Sequence, residues 1–438
     1  MCGIFGVIGS REVSPLILDG LRKLEYRGYD SAGLATIQHS KNNKFGELFV
    51  RKSEGKLINL SNLIKKEPIQ GHLGIGHTRW ATHGKPNEIN AHPHIDFSGQ
   101  IAVVQNGIIE NYRDLSTSLQ LKGIKFSSDT DTEIIPHLIG LEINNLLGQG
   151  LLANGQTLSI AVQKVLTLLE GTYAIGVIWA KVSNALVVAS RQAPLVLGFG
   201  EGEYFCASDT PALVGFTRTF LPLKDYEIAL LTPLGIELYD ENGNRQNRAP
   251  SLLKGTELFA DKRDFRHFML KEIYEQPETA QLWIDRYLPS DLSSENAVAF
   301  PIPKSNFEKI ERIQILACGT SRHAAMVGAY LLEQFAGVTT NVFFASEFRY
   351  APPPVSPNTL TIGVSQSGET ADTLAALRME KERRASIKDP DFSFYQLGIT
   401  NRLDSSLARE LDHVIDIGSG IEIGVAATKT FLGQMLSF

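Results

Sequence analysis

The apolar pattern changes texture along the chain. In the first half, Gly3–Val7, Ala32–Ile37, Gly74–His77, Ile101–Gln105, Tyr173–Trp179, Ala185–Ala189 and Glu227–Leu231 are short runs rich in Val, Ile and aromatic residues. Such runs predict strands. Ser14–Glu25, Asp131–Leu141 and Leu158–Leu169 carry apolar residues at helical spacing. Ser14-Pro15 adds a start signal to the first of these helices. Strands and helices of these lengths predict an α+β layered domain over residues 2–240.

Asp240-Glu-Asn-Gly-Asn-Arg-Gln-Asn-Arg-Ala-Pro250 is polar and turn-rich, and marks the expected boundary. A connecting region, 241–300, contains two helical pieces, Phe265–Gln276 and Thr279–Leu288, separated near Pro277. From 301 to 438 the chain repeats strand, loop and helix. Ile313–Ala317, Thr359–Val364, Tyr395–Thr400 and Val414–Ile417 predict strands; Arg322–Phe335 and Thr370–Arg384 predict helices. That repetition implies a doubly wound parallel sheet, an α/β fold whose ligands bind at the carboxyl ends of the strands.

Composition changes this picture little. Of 438 residues, 43% are hydrophobic and 21% charged, and the net charge is −6, which argues against non-specific nucleic-acid binding. The uncharged stretch Ile143–Gln163 is interrupted by Asn, Gln and Gly; it reads as a helix end and a loop, not a membrane span. Cys2, Cys206 and Cys318 are too far apart to make a disulfide framework, which points to a reduced, cytoplasmic setting. No basic segment followed by an apolar one opens the chain, so no targeting peptide is expected.

Candidate chemistry begins at Cys2, in Met1-Cys2-Gly3-Ile4-Phe5-Gly6. Once the initiator Met is removed, the thiol shares its residue with a free α-amine of pKa near ~8. That pair is a self-contained activated nucleophile; the alternative is a small residue opening a buried strand. A thiolate attacking an amide needs an oxyanion hole. Asn106-Gly107, directly after a predicted strand, offers a side-chain amide and a backbone N–H; an Asn-Gly hairpin turn is the alternative. Arg79, in His77-Thr-Arg-Trp-Ala-Thr-His-Gly84, ends a strand with a guanidinium suited to a carboxylate. Asp129-Thr-Asp-Thr-Glu133 offers an anchor for an ammonium or, alternatively, a helix cap. Five of the ten histidines fall between His72 and His94, without a thiol or carboxylate set at metal-ligand spacing. They read as local loop structure. In the second half, Cys318-Gly-Thr-Ser321 and Ser365-Gln-Ser-Gly-Glu-Thr370 each join a strand to a helix. Their hydroxyls and N–H groups at helix N-termini suit a phosphate, with helix capping as the alternative.

Cys2–Gly6, Leu24-Glu-Tyr-Arg-Gly-Tyr-Asp-Ser-Ala-Gly33, His77–Gly84, Asn90-Ala-His-Pro-His94, Asn106-Gly-Ile-Ile-Glu-Asn111 and Thr130-Asp-Thr-Glu133 together resemble the class II, N-terminal-nucleophile glutamine amidotransferases. The resemblance covers about the first 240 residues and implies an αββα-layered N-terminal-nucleophile hydrolase fold. It also implies roles: Cys2 attacks the γ-amide of glutamine, Asn106 and Gly107 hold the oxyanion, Arg79 takes the carboxylate and Asp131 the α-amine. Thr82 and His83 line the pocket, and Trp80 stands as a gate toward the ammonia acceptor. Arg191-Gln-Ala-Pro-Leu195 departs from the family's Arg-x-Gly-Ser-Pro-Leu by one residue.

The two second-half loops resemble those of the sugar isomerase (SIS) domain. With Asp261-Lys262, Arg266-His267, Lys271-Glu-Ile-Tyr-Glu-Gln-Pro277 and Gly424-Val-Ala-Ala-Thr-Lys429 they resemble the glutamine-dependent fructose-6-phosphate aminotransferases. That resemblance implies that Thr320, Ser321, Ser365, Gln366, Ser367 and Thr370 bind the sugar phosphate. It implies glutamine and fructose 6-phosphate as substrates, glucosamine 6-phosphate and glutamate as products, no metal or organic cofactor, and a homo-oligomer at full length. The family carries two SIS subdomains and a C-terminal tail. The chain reaches only the first, so glutaminase activity alone is expected of it. A sugar-phosphate-binding regulator with a residual glutaminase domain is the alternative.

Overall fold

A computed structural model describes residues 2–25, 28–39, 45–80, 84–252, 262, 264–288, 308–393, 395–424 and 426–438. The chain forms two compact units, Met1–Thr256 and Glu257–Phe438.

The strands of the first unit, in chain order, are β1 (Gly3–Ile8), β2 (Ser31–His39), β3 (Gly46–Glu54), β4 (Leu73–Arg79), β5 (His94–Ile95), β6 (Ile101–Ile109), β7 (Gly171–Trp179) and β8 (Val182–Arg191). There follow β9 (Val196–Phe199), β10 (Tyr204–Ala207), β11 (Thr219–Pro222), β12 (Ile228–Thr232), β13 (Gly235–Tyr239), β14 (Arg245–Gln246) and β15 (Ser251–Leu252). One sheet runs β15-β11-β9-β10-β1-β4-β2-β3 and the other β14-β13-β12-β8-β7-β6-β5. Among the described residues the α-helices that accompany them are α1 (Val13–Leu24), α2 (Leu57–Lys66), α3 (Tyr112–Leu121), α4 (Ile134–Gly148) and α5 (Gly155–Leu166).

Period-two alternation explains the layers. Along β1, Ile4 and Ile8 join the apolar layer between the sheets, while Phe5 and Val7 pack with Val13, Ile17 and Leu21 of α1. Along β4, Leu73 and Ile75 face the same inner layer; a Cβ on Gly74 or Gly76 would meet Ile17 at 2.7 and 2.3 Å, so these glycines let α1 close on the sheet. Along β6, Ala102 and Val104 face inward, and Ile101 and Val103 pack with Ile135 and Ile139 of α4 and Val162 of α5. The result is the αββα stack expected from the sequence. The sheets hold the chain to Leu252, because β14 and β15 lie within and just beyond the polar stretch 240–250.

The shortened loop Arg191–Leu195 closes through its own polar groups. Gln192 takes φ 55° and donates its N–H to Asp225 Oδ1 at 2.8 Å. Ser190 Oγ donates to the Ala193 carbonyl at 2.7 Å, and the Arg191 guanidinium lies 5.2 Å from the Tyr226 ring centroid.

In the second unit, helices α6 (Phe268–Tyr274) and α7 (Gln276–Tyr287) precede an all-parallel sheet. Its strands are β16 (Arg312–Ala317), β17 (Thr339–Phe344), β18 (Thr359–Ser365), β19 (Tyr395–Thr400) and β20 (Val414–Asp416), in the order β17-β16-β18-β19-β20. The remaining helices are α8 (Gly319–Leu331), α9 (Ala345–Phe348), α10 (Ala371–Ala385), α11 (Ser406–Glu410) and α12 (Lys429–Leu436). Ile313, Ile315 and Ala317 pack with Ala325 of α8 and Phe438 on one face; Leu316 packs with Phe348, Leu377 and Leu407 on the other. Helices on both faces make the sheet doubly wound, as the strand–loop–helix repetition predicted.

Candidate functional site

In the first unit the candidate residues gather where the end of β4 and the start of β1 meet the end of β6. Gly3 pairs with Thr78, which sets Cys2 beside the Arg79–Trp80 end of β4. The Trp80 N–H donates to Cys2 Sγ at 3.2 Å, and Cys2 Sγ lies 3.5 Å from the Trp80 carbonyl. The Trp80 ring meets the edge of Tyr29 at 5.2 Å between centroids.

Asn106 and Gly107 are not a hairpin turn. They continue β6 and pair with Ala174 and Tyr173 of β7. Asn106 follows Ala102 and Val104 on the inward face, where its Nδ2 donates to the Cys2 carbonyl at 3.1 Å. Gly107 takes φ 115°, outside the range that side-chain-bearing residues favour. Gly107 is exposed, next to the buried Asn106.

Asp131 does not cap a helix. Its Oδ2 accepts the Ile109 N–H at 2.7 Å, tying the loop before α4 to β6. That loop is held by Glu133, which accepts from Ser127 N and Oγ at 2.8 Å each and from Ser128 N at 2.6 Å. Burial raises the Glu133 carboxyl, but the His137 ring 3.7 Å away and the hydrogen bonds from Ser128 and Ser127 overcome it and hold the group well below the ordinary range. A depressed carboxyl stabilises the fold above its unfolded pKa and loses that contribution as pH falls. We expect Glu133→Gln to lower the thermal midpoint by about 3–10 °C at pH 7. The deficit should shrink below the unfolded Glu pKa of about 4.3; thermal unfolding from pH 7 to pH 3 measures it.

Burial lowers the Arg79 guanidinium, and its neighbours Cys2, Asp131 and Asp30 oppose that shift. The candidate nucleophile, carboxylate binder and ammonium binder therefore act on one another. Thr82 and His83 lie outside the described residues, as does Asp261 of the second half.

Three of the clustered histidines form a buried stack. The His77 and His92 rings lie 4.2 Å apart and nearly parallel, and His92 meets His94 at 4.8 Å. His77 Nε2 bonds Asn106 Oδ1 at 3.0 Å, His92 Nδ1 accepts the Gln105 N–H at 3.3 Å, and His94 Nε2 bonds Thr130 Oγ1 at 2.9 Å. Burial lowers His77 to about 3 and depresses His92 and His94 as well, so all three rings are neutral near pH 7. Among the described residues no three His, Cys, Asp or Glu side chains group to hold a metal ion. The histidines' internal partners were not apparent from sequence, since the His77–Asn106 contact crosses between the two sheets and the partners of His92 and His94 lie 13 and 36 residues away.

In the second unit, β16 and β18 are neighbours, so the loops after them are adjacent at their carboxyl ends. Neither α8 nor α10 has a side-chain cap, which removes helix capping as the use of these hydroxyls. Thr320 and Ser321 lie in the first turn of α8, and Ser321 Oγ accepts from Gln434 Nε2 at 3.0 Å. Ser365 Oγ bonds Thr370 Oγ1 at 2.9 Å and accepts the Gly368 N–H at 3.0 Å; Ser367 Oγ accepts the Glu369 N–H at 3.2 Å. Gln366 is partly exposed, and its carbonyl accepts the Asn401 N–H at 3.2 Å. Two other motif segments, far apart in the sequence, meet in the second unit: Glu272 accepts the Ile423 N–H at 2.6 Å, and Lys429 Nζ bonds Glu275 at 2.9 Å.

Residues 77–215 match the glutamine amidotransferase domain family, and residues 306–438 the SIS domain family. The chain is 53% identical to the glutamine–fructose-6-phosphate aminotransferase (isomerizing) of Thermosynechococcus vestitus, over 100% of this chain and 68% of the relative. The chain belongs to the glutamine–fructose-6-phosphate aminotransferase family. The family member of Synechocystis is 51% identical, over 100% of this chain and 69% of its own length. A solved C-terminal domain of glucosamine-fructose-6-phosphate aminotransferase from Francisella tularensis is 39% identical over 41% of this chain and 48% of its own, with a TM-score of 0.34. The chain thus spans about two thirds of the length of the curated relatives it matches, and both family domains lie within it.

Proposed function

We propose that this chain carries the glutamine-hydrolysing site and the sugar-phosphate loops of an enzyme that converts glutamine and fructose 6-phosphate into glutamate and glucosamine 6-phosphate. The observation that carries the reading is the Cys2 thiol beneath the Trp80 N–H, with the Asn106 amide at 3.1 Å from the Cys2 carbonyl.

With Met1 removed, the Cys2 α-amine takes the thiol proton. The thiolate bonds the glutamine Cδ, and the carbonyl π electrons move to Oε1. Asn106 Nδ2 and the Gly107 N–H receive the developing charge, which favours the tetrahedral intermediate. Collapse breaks the Cδ–N bond, and the α-ammonium returns its proton to the leaving ammonia. Water then attacks the thioester, releasing glutamate and restoring the thiol. Arg79 and Asp131 oppose the substrate's α-carboxylate and α-ammonium.

The loops bearing Thr320, Ser321, Ser365, Gln366, Ser367 and Thr370 support phosphate binding through hydroxyls and N–H groups at the starts of α8 and α10. Cys2, Cys206 and Cys318, none of them in a disulfide, support a reducing, cytoplasmic setting. No helix among the described residues is long and apolar enough to cross a membrane. Exposed Tyr330, Phe335 and Tyr350 on the second unit support association of copies.

The direct test supplies glutamine and fructose 6-phosphate, and measures glutamate release and sugar-phosphate binding. Cys2-dependent glutamate together with saturable binding that Ser365→Ala and Thr370→Ala weaken supports the reading. Absence of either overturns that half of it. Arg79→Lys should raise the KM for glutamine by about 10- to 100-fold with a much smaller change in kcat, because a single ammonium loses the guanidinium fork. Steady-state kinetics check this; equal losses in kcat and kcat/KM would place the contact in the transition state instead.

A further inference from the structure

We propose that His77 is a positioning residue for glutamine hydrolysis: its Nε2–H holds the Asn106 side chain so that the amide nitrogen faces the Cys2 side. The inference rests on the glutaminase reading above and adds a residue to it. His77 follows Leu73 and Ile75 on the inward alternation of β4, and Asn106 follows Ala102 and Val104 on that of β6. Two independent strand periods therefore bring the pair together at 3.0 Å between layers.

The hydrogen's position follows from its neighbours. The Cys2 carbonyl can only accept, so the Asn106 group 3.1 Å from it is the NH2. Asn106 Oδ1 then faces His77, and Nε2 must carry the proton. Burial keeps the ring neutral, which leaves that one proton in place near pH 7.

An unsupported asparagine can turn its amide over with little change in shape. The carbonyl would then face the developing oxyanion and repel it. A preorganised donor avoids that reorganisation. His77 is itself braced, because its ring stacks on His92, and His92 accepts the N–H of Gln105, the residue before Asn106. The stack thus grips Asn106 by its side chain and by the adjoining backbone.

The test is a double-mutant cycle in the 438-residue chain, read by glutamate release. His77→Leu should lower kcat by about 10- to 100-fold and change the glutamine KM by less than about threefold. His77→Gln, whose terminal amide can donate from nearly the same place, should recover activity to within about fivefold of wild type. In an Asn106→Ala background, His77→Leu should lower the remaining kcat by less than about twofold, since the group it positions is gone.

An equal loss in both backgrounds would overturn the proposal. So would a raised KM with kcat retained, or a folded His77→Gln no better than His77→Leu. If leucine at 77 prevents folding, His77→Asn, too short to reach Asn106, takes its place in the cycle. A wild-type chain without Cys2-dependent hydrolysis overturns the glutaminase reading and this inference together. Normal wild-type hydrolysis that is indifferent to position 77 overturns this inference alone.

Discussion

Cys2→Ala is expected to lower glutamine hydrolysis by about 10⁴-fold or more, the scale seen when a covalent nucleophile is removed. The other two thiols cannot substitute. Cys206 is fully buried between the sheets, and burial pushes it up to about 12. Burial raises Cys318 as well, and it lies in the second unit at the start of α8. Cys206→Ala should therefore keep its glutaminase rate while losing some thermal stability to the small void it leaves. The same logic applies to the amine. A short extension fused ahead of Cys2 and resistant to cleavage should inactivate the enzyme as fully as Cys2→Ala, because it turns the built-in base into an amide. Glutamate release from the four proteins decides the matter. Appreciable turnover in Cys2→Ala or in the extended chain would remove Cys2 and its α-amine from the mechanism.

The strands that build this site are legible as short apolar runs, but the apolar runs end before the strands do. The predicted Gly74–His77 continues to Arg79, and Ile101–Gln105 continues to Ile109. The reason is physical. At these ends the chain replaces apolar residues with His77, Arg79, Asn106 and Gly107, and the apolar pattern stops where the chemistry starts. Strand pairing continues regardless, because backbone hydrogen bonds do not depend on side-chain polarity.

Very short strands such as β9, β10 and β11 offered too few alternations to stand out. By contrast, α2 carries a helical signal in its own sequence, with Leu57, Leu60 and Ile64 buried on one face. Cys2, Arg79 and Asn106 stand out in the sequence as candidates because residue types state their own reactivity, and the structure brings them to one end of the sheets. The His77–Asn106 contact was not, because it depends on how the registers of two sheets meet. The Ser365 and Ser321 hydroxyls were ambiguous for a related reason. A capping serine and a ligand-binding serine look alike in sequence; in the structure neither α8 nor α10 carries a side-chain cap, and the two hydroxyls bond Gln434, Thr370 and the Gly368 N–H instead.

Gly107→Ala should be as damaging to catalysis as loss of a dedicated oxyanion donor, lowering kcat by at least about 10²-fold. Two costs combine at this position. The backbone holds φ at 115°, where a side chain adds strain of about 1–3 kcal/mol. A Cβ would also stand 2.1 Å from the Thr172 carbonyl oxygen and 2.7 Å from its carbon. Thr172 cannot yield easily, because it pairs with Ile108 of β6, and from Ala174 onward β7 is also held by β8. The strand carrying the Gly107 N–H must move instead, and the N–H moves with it. Gly99→Ala is the control. Gly99 also has positive φ, 73°, but a Cβ there meets nothing within 4 Å. It should show a stability loss of about 1 kcal/mol with hydrolysis unchanged. Thermal unfolding and steady-state kinetics on both variants separate the two costs. Wild-type kcat in a folded Gly107→Ala would show that the Gly107 N–H tolerates displacement and has no part in holding the oxyanion.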